Sequence, residues 1–132
     1  MKIEDKNPGD ASGWTHLHLA ASFDHLELCH FIINRVQDKN PATSSGKTPL
    51  HFPAKHGHEE VFKVIFKEIE DKNPSNDYGW TPFHEAAYQG HLGLCHFIIN
   101  RMHEKNPQDN NGITPLALAH QKGFSEIVKL FK

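Results

Sequence analysis

The chain has little of what would tie it to a membrane, to nucleic acid or to catalysis. No segment approaches the roughly 18 uninterrupted apolar residues of a bilayer span, and the opening MKIEDKNPGD contains no apolar core of signal-peptide length. A soluble, unsecreted protein of the cell interior, cytoplasmic in placement, is the expectation. Neither sign of charge dominates. Fourteen Lys and Arg stand against 16 Asp and Glu, for a formal net charge of −2, so the broad positive field that gathers phosphates is missing. Nucleic acid and membrane are therefore not expected as partners. The chain also lacks a Gly-x-Ser-x-Gly nucleophile elbow and a Gly-x-x-x-x-Gly-Lys-Ser/Thr phosphate loop. Two stretches, His84-Glu85-Ala86-Ala87-Tyr88 and His58-Glu59-Glu60-Val61-Phe62, begin like a zinc-protease helix, but an aromatic ring stands where the second histidine ligand must be. No catalytic residue, no cofactor and no enzymatic activity are expected.

What is present is a repeat. Gly46 to Ile65, GKTPLHFPAKHGHEEVFKVI, has counterparts starting at Gly13, Gly79 and Gly112, each 33 residues after the last. Residues 13–45, 46–78 and 79–111 are complete units, 112–132 is a partial one, and 1–12 match the end of a preceding unit. The match rests on Asp5-Lys6-Asn7-Pro8, which returns as Asp38-Lys39-Asn40-Pro41, Asp71-Lys72-Asn73-Pro74 and Glu104-Lys105-Asn106-Pro107. Opening partway through a unit suggests a fragment of a longer array. With 132 residues, 37% of them hydrophobic, the units have enough apolar side chains for about one domain.

Local signals predict two helices and a loop per unit. Thr48-Pro49, Thr81-Pro82 and Thr114-Pro115 put an N-capping hydroxyl before a proline whose missing N–H costs nothing in the first helical position. About two turns later Gly57, Gly90 and Gly123 suit the left-handed conformation that ends a helix. A second helix follows in each unit, read as LELCHFIINRV, EEVFKVIFKEI and LGLCHFIINRM, with apolar residues at three- and four-residue spacing. The Lys-Asn-Pro run reads as a turn.

Cys29 and Cys95 lie 66 residues apart, which is two whole units. At about 10 Å per packed layer they are far beyond disulfide reach, and both sit in apolar runs. They are expected to be free, buried thiols, suited to a reducing compartment.

The pattern Gly-x-Thr-Pro-Leu-His-x-x-Ala-x-x-Gly-His, at Gly46 to His58 and again at Gly79 to His91 with Phe83 for Leu, resembles the ankyrin repeat, whose 33-residue period it shares. The resemblance covers essentially the whole chain. It implies an all-α solenoid of stacked helix pairs with projecting β-turn or loop tips. It also implies a non-enzymatic role in binding a protein partner. Three positions depart from the pattern. His16 replaces the first-position proline and Asp24 the helix-ending glycine, so the first complete unit is expected to be less rigidly specified. Pro53 stands inside a first helix where the other units carry alanine, at an expected cost of about 3 kcal/mol.

The chain holds 12 histidines. The resemblance implies that His18, His51 and His84, with His25, His58 and His91, are scaffold residues whose rings hydrogen-bond nearby backbone. His25 with Cys29 and His91 with Cys95 have the helical spacing of a shared metal pair, but a structural zinc site needs four ligands. No metal site is expected.

In ankyrin arrays the loop tips and outer first helices form a concave binding face. The resemblance places Trp14, Phe23, Lys47, Phe52, Lys55, His56, Tyr78, Trp80 and Tyr88 on that face as partner-contacting residues. Phe52, like Leu19, remains open between partner contact and packing between units. Trp14, Lys47, Trp80 and Ile113 recur at one phase and would form a row of roughly 30 Å. A monomer that binds another protein is expected. The alternatives are an engineered or fragmentary scaffold pairing with itself through the same face as a homo-oligomer, and metal-dependent assembly through histidines.

Overall fold

The protein is described by a computed structural model, which places residues 12–132. The reading of Asp5-Lys6-Asn7-Pro8 as the tail of a preceding unit lies outside the described residues. Among them are eight helices and no strands: α1 (His16–Ser22), α2 (Leu26–Ile33), α3 (His51–His56), α4 (Glu59–Phe66), α5 (Pro82–Gln89), α6 (Leu92–Ile99), α7 (Pro115–Lys122) and α8 (Ser125–Lys129). The first helices stack as α1, α3, α5 and α7. Behind them α2 packs on α4 and α6 on α8, while Phe62 and Phe66 of α4 meet Phe97 of α6 with ring centroids 6.1 and 5.4 Å apart. One continuous core results, including Leu17, Ile32, Leu50, Phe62, Ile65, Phe83, Leu94, Ile98 and Ile127.

Two of the three expected threonine caps form, at Thr81 and Thr114; Thr48 caps no helix, because α3 starts two residues late with Leu50 before it, and Thr15 caps instead in the first unit. The hydroxyls of Thr15, Thr81 and Thr114 accept the backbone N–H of His18, His84 and Ala117. Gly57, Gly90 and Gly123 close their helices with left-handed backbone. Asp24 takes the glycine's place with φ of 61°, a conformation that costs a residue with a side chain about 1–2 kcal/mol. Even so, α1 has a complete capping box, formed by Thr15 and His18.

Pro53 behaves differently from its expectation as an interior proline. A helix starting at Pro49 would require Pro53 to donate to the Pro49 carbonyl, and proline has no N–H. Instead α3 begins at His51, after a turn closed by the His51 N–H to Thr48 O bond of 3.0 Å. Pro53 thereby falls in the first helical turn, where no donor is required, and the full interior penalty does not apply.

The second helices end earlier than their sequence stripes, at Ile33, Phe66 and Ile99. Val36, Ile69 and Met102 still reach the core through the tighter turn that follows. That turn exposes carbonyls, and the lysine of each Lys-Asn-Pro run satisfies them. Lys39 Nζ donates to the carbonyls of Ile33 and Val36, Lys72 Nζ to that of Phe66, and Lys105 Nζ to those of Ile99 and Met102. The motif is therefore a helix C-cap as well as a turn, with the positive charge at the negative end of the helix dipole.

Candidate functional site

Loop tips run along one side of the stack, each built around a short polar residue at a fixed phase. Thr43 Oγ1 accepts the N–H groups of Ser45 and Lys47, Asn76 Oδ1 those of Tyr78 and Trp80, and Asp109 Oδ1 those of Asn111 and Ile113. Successive tips are tied by backbone bonds: Ser44 N–H to Ser12 O at 2.7 Å, Asp77 N–H to Ser45 O at 2.9 Å, and Asn110 N–H to Tyr78 O at 3.0 Å. Two glycines show why the tips need glycine. A Cβ on Gly46 would lie 2.8 Å from the Asp77 nitrogen, and one on Gly79 would lie 2.6 Å from the Asn110 nitrogen, with φ of +84° and +81°.

Behind the tips a row of buried histidines joins each unit to the next. The Thr15, Thr48 and Thr81 N–H groups donate to Nδ1 of His18, His51 and His84. Nδ1 is therefore unprotonated, so Nε2 carries the hydrogen and donates it to the carbonyls of Lys47, Trp80 and Ile113 at 2.9, 2.8 and 2.8 Å. Burial lowers all three pKa values and outweighs the backbone hydrogen bonds that raise them; His51 is held at about 4. The rings thus remain neutral at physiological pH. In the second histidine row His91 Nε2 donates to the Lys55 carbonyl at 2.8 Å. His58 departs from the expected backbone bond, because Asp24 in the glycine position brings a carboxylate oxygen to 3.7 Å from its Nδ1.

The candidate contact residues divide into several settings. Trp14 is half-buried, with its ring centroid 4.6 Å from that of Phe52. Phe52 is buried, so its open choice resolves toward packing between units, while Leu19 at the same phase is exposed. Trp80 is also half-buried rather than free-standing. It stacks on His84, meets Tyr88 edge-on at 5.4 Å, and donates its indole N–H to Asp109 Oδ2 at 3.0 Å. Tyr78 is 72% exposed. Tyr88 is exposed beneath the Lys122 ammonium, which lies 4.6 Å from its ring. Lys55 and His56 are exposed on the last turn of α3, and Phe23 is exposed at the end of α1, away from the other aromatics at the tips.

Lys47, Tyr78 and Trp80 come together around an open cleft of about 360 Å³, with Asn76, Glu85, Asp109 and Asn111 completing its walls. Burial pushes the Glu85 carboxyl above its usual range, and the positive charges of Lys55 and Lys47 only partly offset this. Burial also raises Asp109, but the backbone N–H groups of Ile113 and Asn111 and the Trp80 indole more than compensate and hold it low. Sequence reasoning sets Glu85 at a binding-face position without choosing it as a contact residue, and misses Asp109. The signal for Glu85 was its phase, since it is the charged member of an otherwise apolar row of Leu19, Phe52 and Leu118. Asp109 was hidden in a polar run that resembles any turn.

Cys29 and Cys95 are buried, with burial pushing both thiols up to about 12. Among the described residues no group of three or more His, Cys, Asp or Glu side chains is placed to hold a metal ion. No helix of the described residues is long and apolar enough to cross a membrane. A search of curated proteins finds no match. The family model for ankyrin repeats matches three copies over residues 1–76 and 65–132. With that match, the phased caps and the stacked helix pairs, the chain belongs to the ankyrin-repeat family, whose members are generally protein–protein interaction modules and typically not enzymes.

Proposed function

We propose that this chain is a non-enzymatic module that binds a protein partner through its row of loop tips and first helices, centred on Trp14, Tyr78, Trp80 and Tyr88. The observation that carries this reading is the exposure of Tyr78, which lines a ready-made cleft with the half-buried Trp80, and of Tyr88, whose ring meets Trp80 edge-on. Tyrosine and tryptophan give interfaces large, rigid contact area at little entropic cost, and they dominate binding hot spots. Phe52 acts here by packing behind Trp14, while Lys47, Lys55 and His56 supply a polar rim.

Tyrosines make a cleaner test than tryptophans, since both indoles also pack within the fold. Capture of a partner from the source proteome is compared between the wild type and the Tyr78→Ala/Tyr88→Ala variant. Loss of at least about tenfold in recovery with an unchanged circular dichroism spectrum is expected. Equal recovery would place the interface elsewhere. Self-pairing through the same face, the competing reading, requires mass to rise with concentration in light scattering, and a monomer at all concentrations removes it.

A further inference from the structure

Glu85 is out of place where it stands. The residue is 92% buried (8% relative exposure), yet among the described residues its carboxylate takes part in no hydrogen bond and no ion pair. Its oxygens are not sealed from solvent, yet holding so largely buried a carboxylate without a partner is costly. The side chain does have one outlet, because it lines the cleft beside Trp80 and Tyr78.

Charge adds a second argument. Glu85 and Asp109 bring two carboxylates to the cleft walls and Lys47 brings one cation. Lys47 lies near enough to stabilise the Glu85 anion by its field, but the two form no ion pair. Asp109 is committed on both oxygens, to backbone N–H groups and to the Trp80 indole. Glu85 is the uncommitted acceptor. The cleft carries a net negative charge at neutral pH once Glu85 ionises, and its walls include two aromatic rings.

We propose that this cleft receives an arginine side chain of a protein partner, with the Glu85 carboxylate as its counter-charge and the Tyr78 and Trp80 rings beside it. This rests on the protein-binding reading of the tip face and names the chemistry recognised there. Arginine fits better than lysine because its planar guanidinium can pair with a carboxylate through two N–H groups while lying against an aromatic ring. A cleft of about 360 Å³ is also within the range of small-ligand pockets, roughly 300–1,000 Å³. Binding would neutralise a buried acid that the fields of Lys55 and Lys47 only partly compensate.

The test uses the intact chain and two probes, the capped peptide Ac-Gly-Arg-Gly-amide and its neutral isostere with citrulline, with the Trp80 indole N–H read by NMR. The arginine peptide should shift that resonance saturably. Citrulline, and the arginine peptide on the Glu85→Gln variant, should bind about tenfold more weakly. Glu85→Gln keeps the side chain's shape, and unchanged dispersion of the other resonances shows that the variant is folded. Equal responses to arginine and citrulline, or an undiminished response in Glu85→Gln, would overturn the arginine assignment while leaving the protein-binding face to be judged by the tyrosine variant. Arginine selectivity combined with undiminished partner capture by that tyrosine variant would overturn the assignment to a partner's side chain and leave only a site for free cations.

Discussion

Trp14 and Trp80 occupy the same position in two units, 66 residues apart, each between a left-handed glycine and a capping threonine, yet their surroundings differ. Trp14 faces Phe52 of the next unit, and the two rings close on each other. Trp80 faces a unit that has Leu118 in that place; its indole is anchored by Asp109. Between the two, Lys47 and Glu85 replace the aromatic pair with a charged one that does not close. One scaffold thus yields a filled surface at one end and an open cleft at the other, through substitutions at two phases. The histidine row beneath is common to both.

The largest effect should come from emptying the filled end. Phe52→Ala removes a buried ring from between α1 and α3, and large-to-small changes of this kind cost about 3–4 kcal/mol. The urea midpoint should fall accordingly. In a Trp80→Phe background, where Trp14 is the one remaining indole, emission should shift to the red as water reaches the ring. A midpoint unchanged by Phe52→Ala would mean that the ring packs too loosely for the two ends to differ.

A slightly smaller effect should come from acid, which acts on what the two ends share. His51 takes up a proton near 6.5 in the unfolded chain but only near 4 when folded. Between those values the unfolded state binds more protons, so stability falls as pH falls. The contribution is complete above pH 6.5 and is lost as pH drops through about 4. It amounts to about 3 kcal/mol. His18 and His84 shift in the same direction. Protonation places a hydrogen on Nδ1 against the threonine N–H, so that local bond is lost and a charge is buried, while Nε2 still donates to the next tip. Urea midpoints should hold from pH 7.5 to about 6.5 and then decline toward pH 5, and a flat profile would show that the buried rings take up a proton as readily in the fold as in the unfolded chain.

Much of the architecture was legible because it is written in local rules repeated at one period. Threonine caps, left-handed glycines and apolar stripes each act within a single turn of chain, and 33-residue phasing lets four weak signals confirm one another. Features that depend on the next unit were harder to read. Whether a tryptophan at a tip stands free or lies against a neighbour is decided by contacts 29 residues or more away, such as Trp80 with Asp109. The lysine of Lys-Asn-Pro looked like turn punctuation, because its partners are carbonyls freed only by the early end of the preceding helix. The interior cost expected for Pro53 holds only if all first helices start in register, whereas α3 starts later and leaves the proline in its first turn.

The smallest effect, and the one that most sharpens the contrast between the two ends, concerns the open cleft. Burial raises the Glu85 pKa, so between the ordinary carboxylate range and that raised value the folded state holds the proton more tightly than the unfolded one. Stability from this group is present at low pH and declines as pH rises through the folded pKa, the reverse of the histidine trend. Glu85→Gln, which cannot ionise, should therefore melt slightly above the wild type at pH 7 and lose that advantage as the pH is lowered toward 4. Phe52, the residue at the same phase, should show the opposite: removing it can only destabilise. A bound arginine would reverse the balance at Glu85, because a cation in the cleft stabilises the ionised form. Adding the arginine peptide at pH 7 should therefore close the gap by raising the melting temperature of the wild type more than that of Glu85→Gln. If the variant melts below the wild type without peptide, the carboxylate already has a partner within the fold and the cleft is as closed as the Trp14 end.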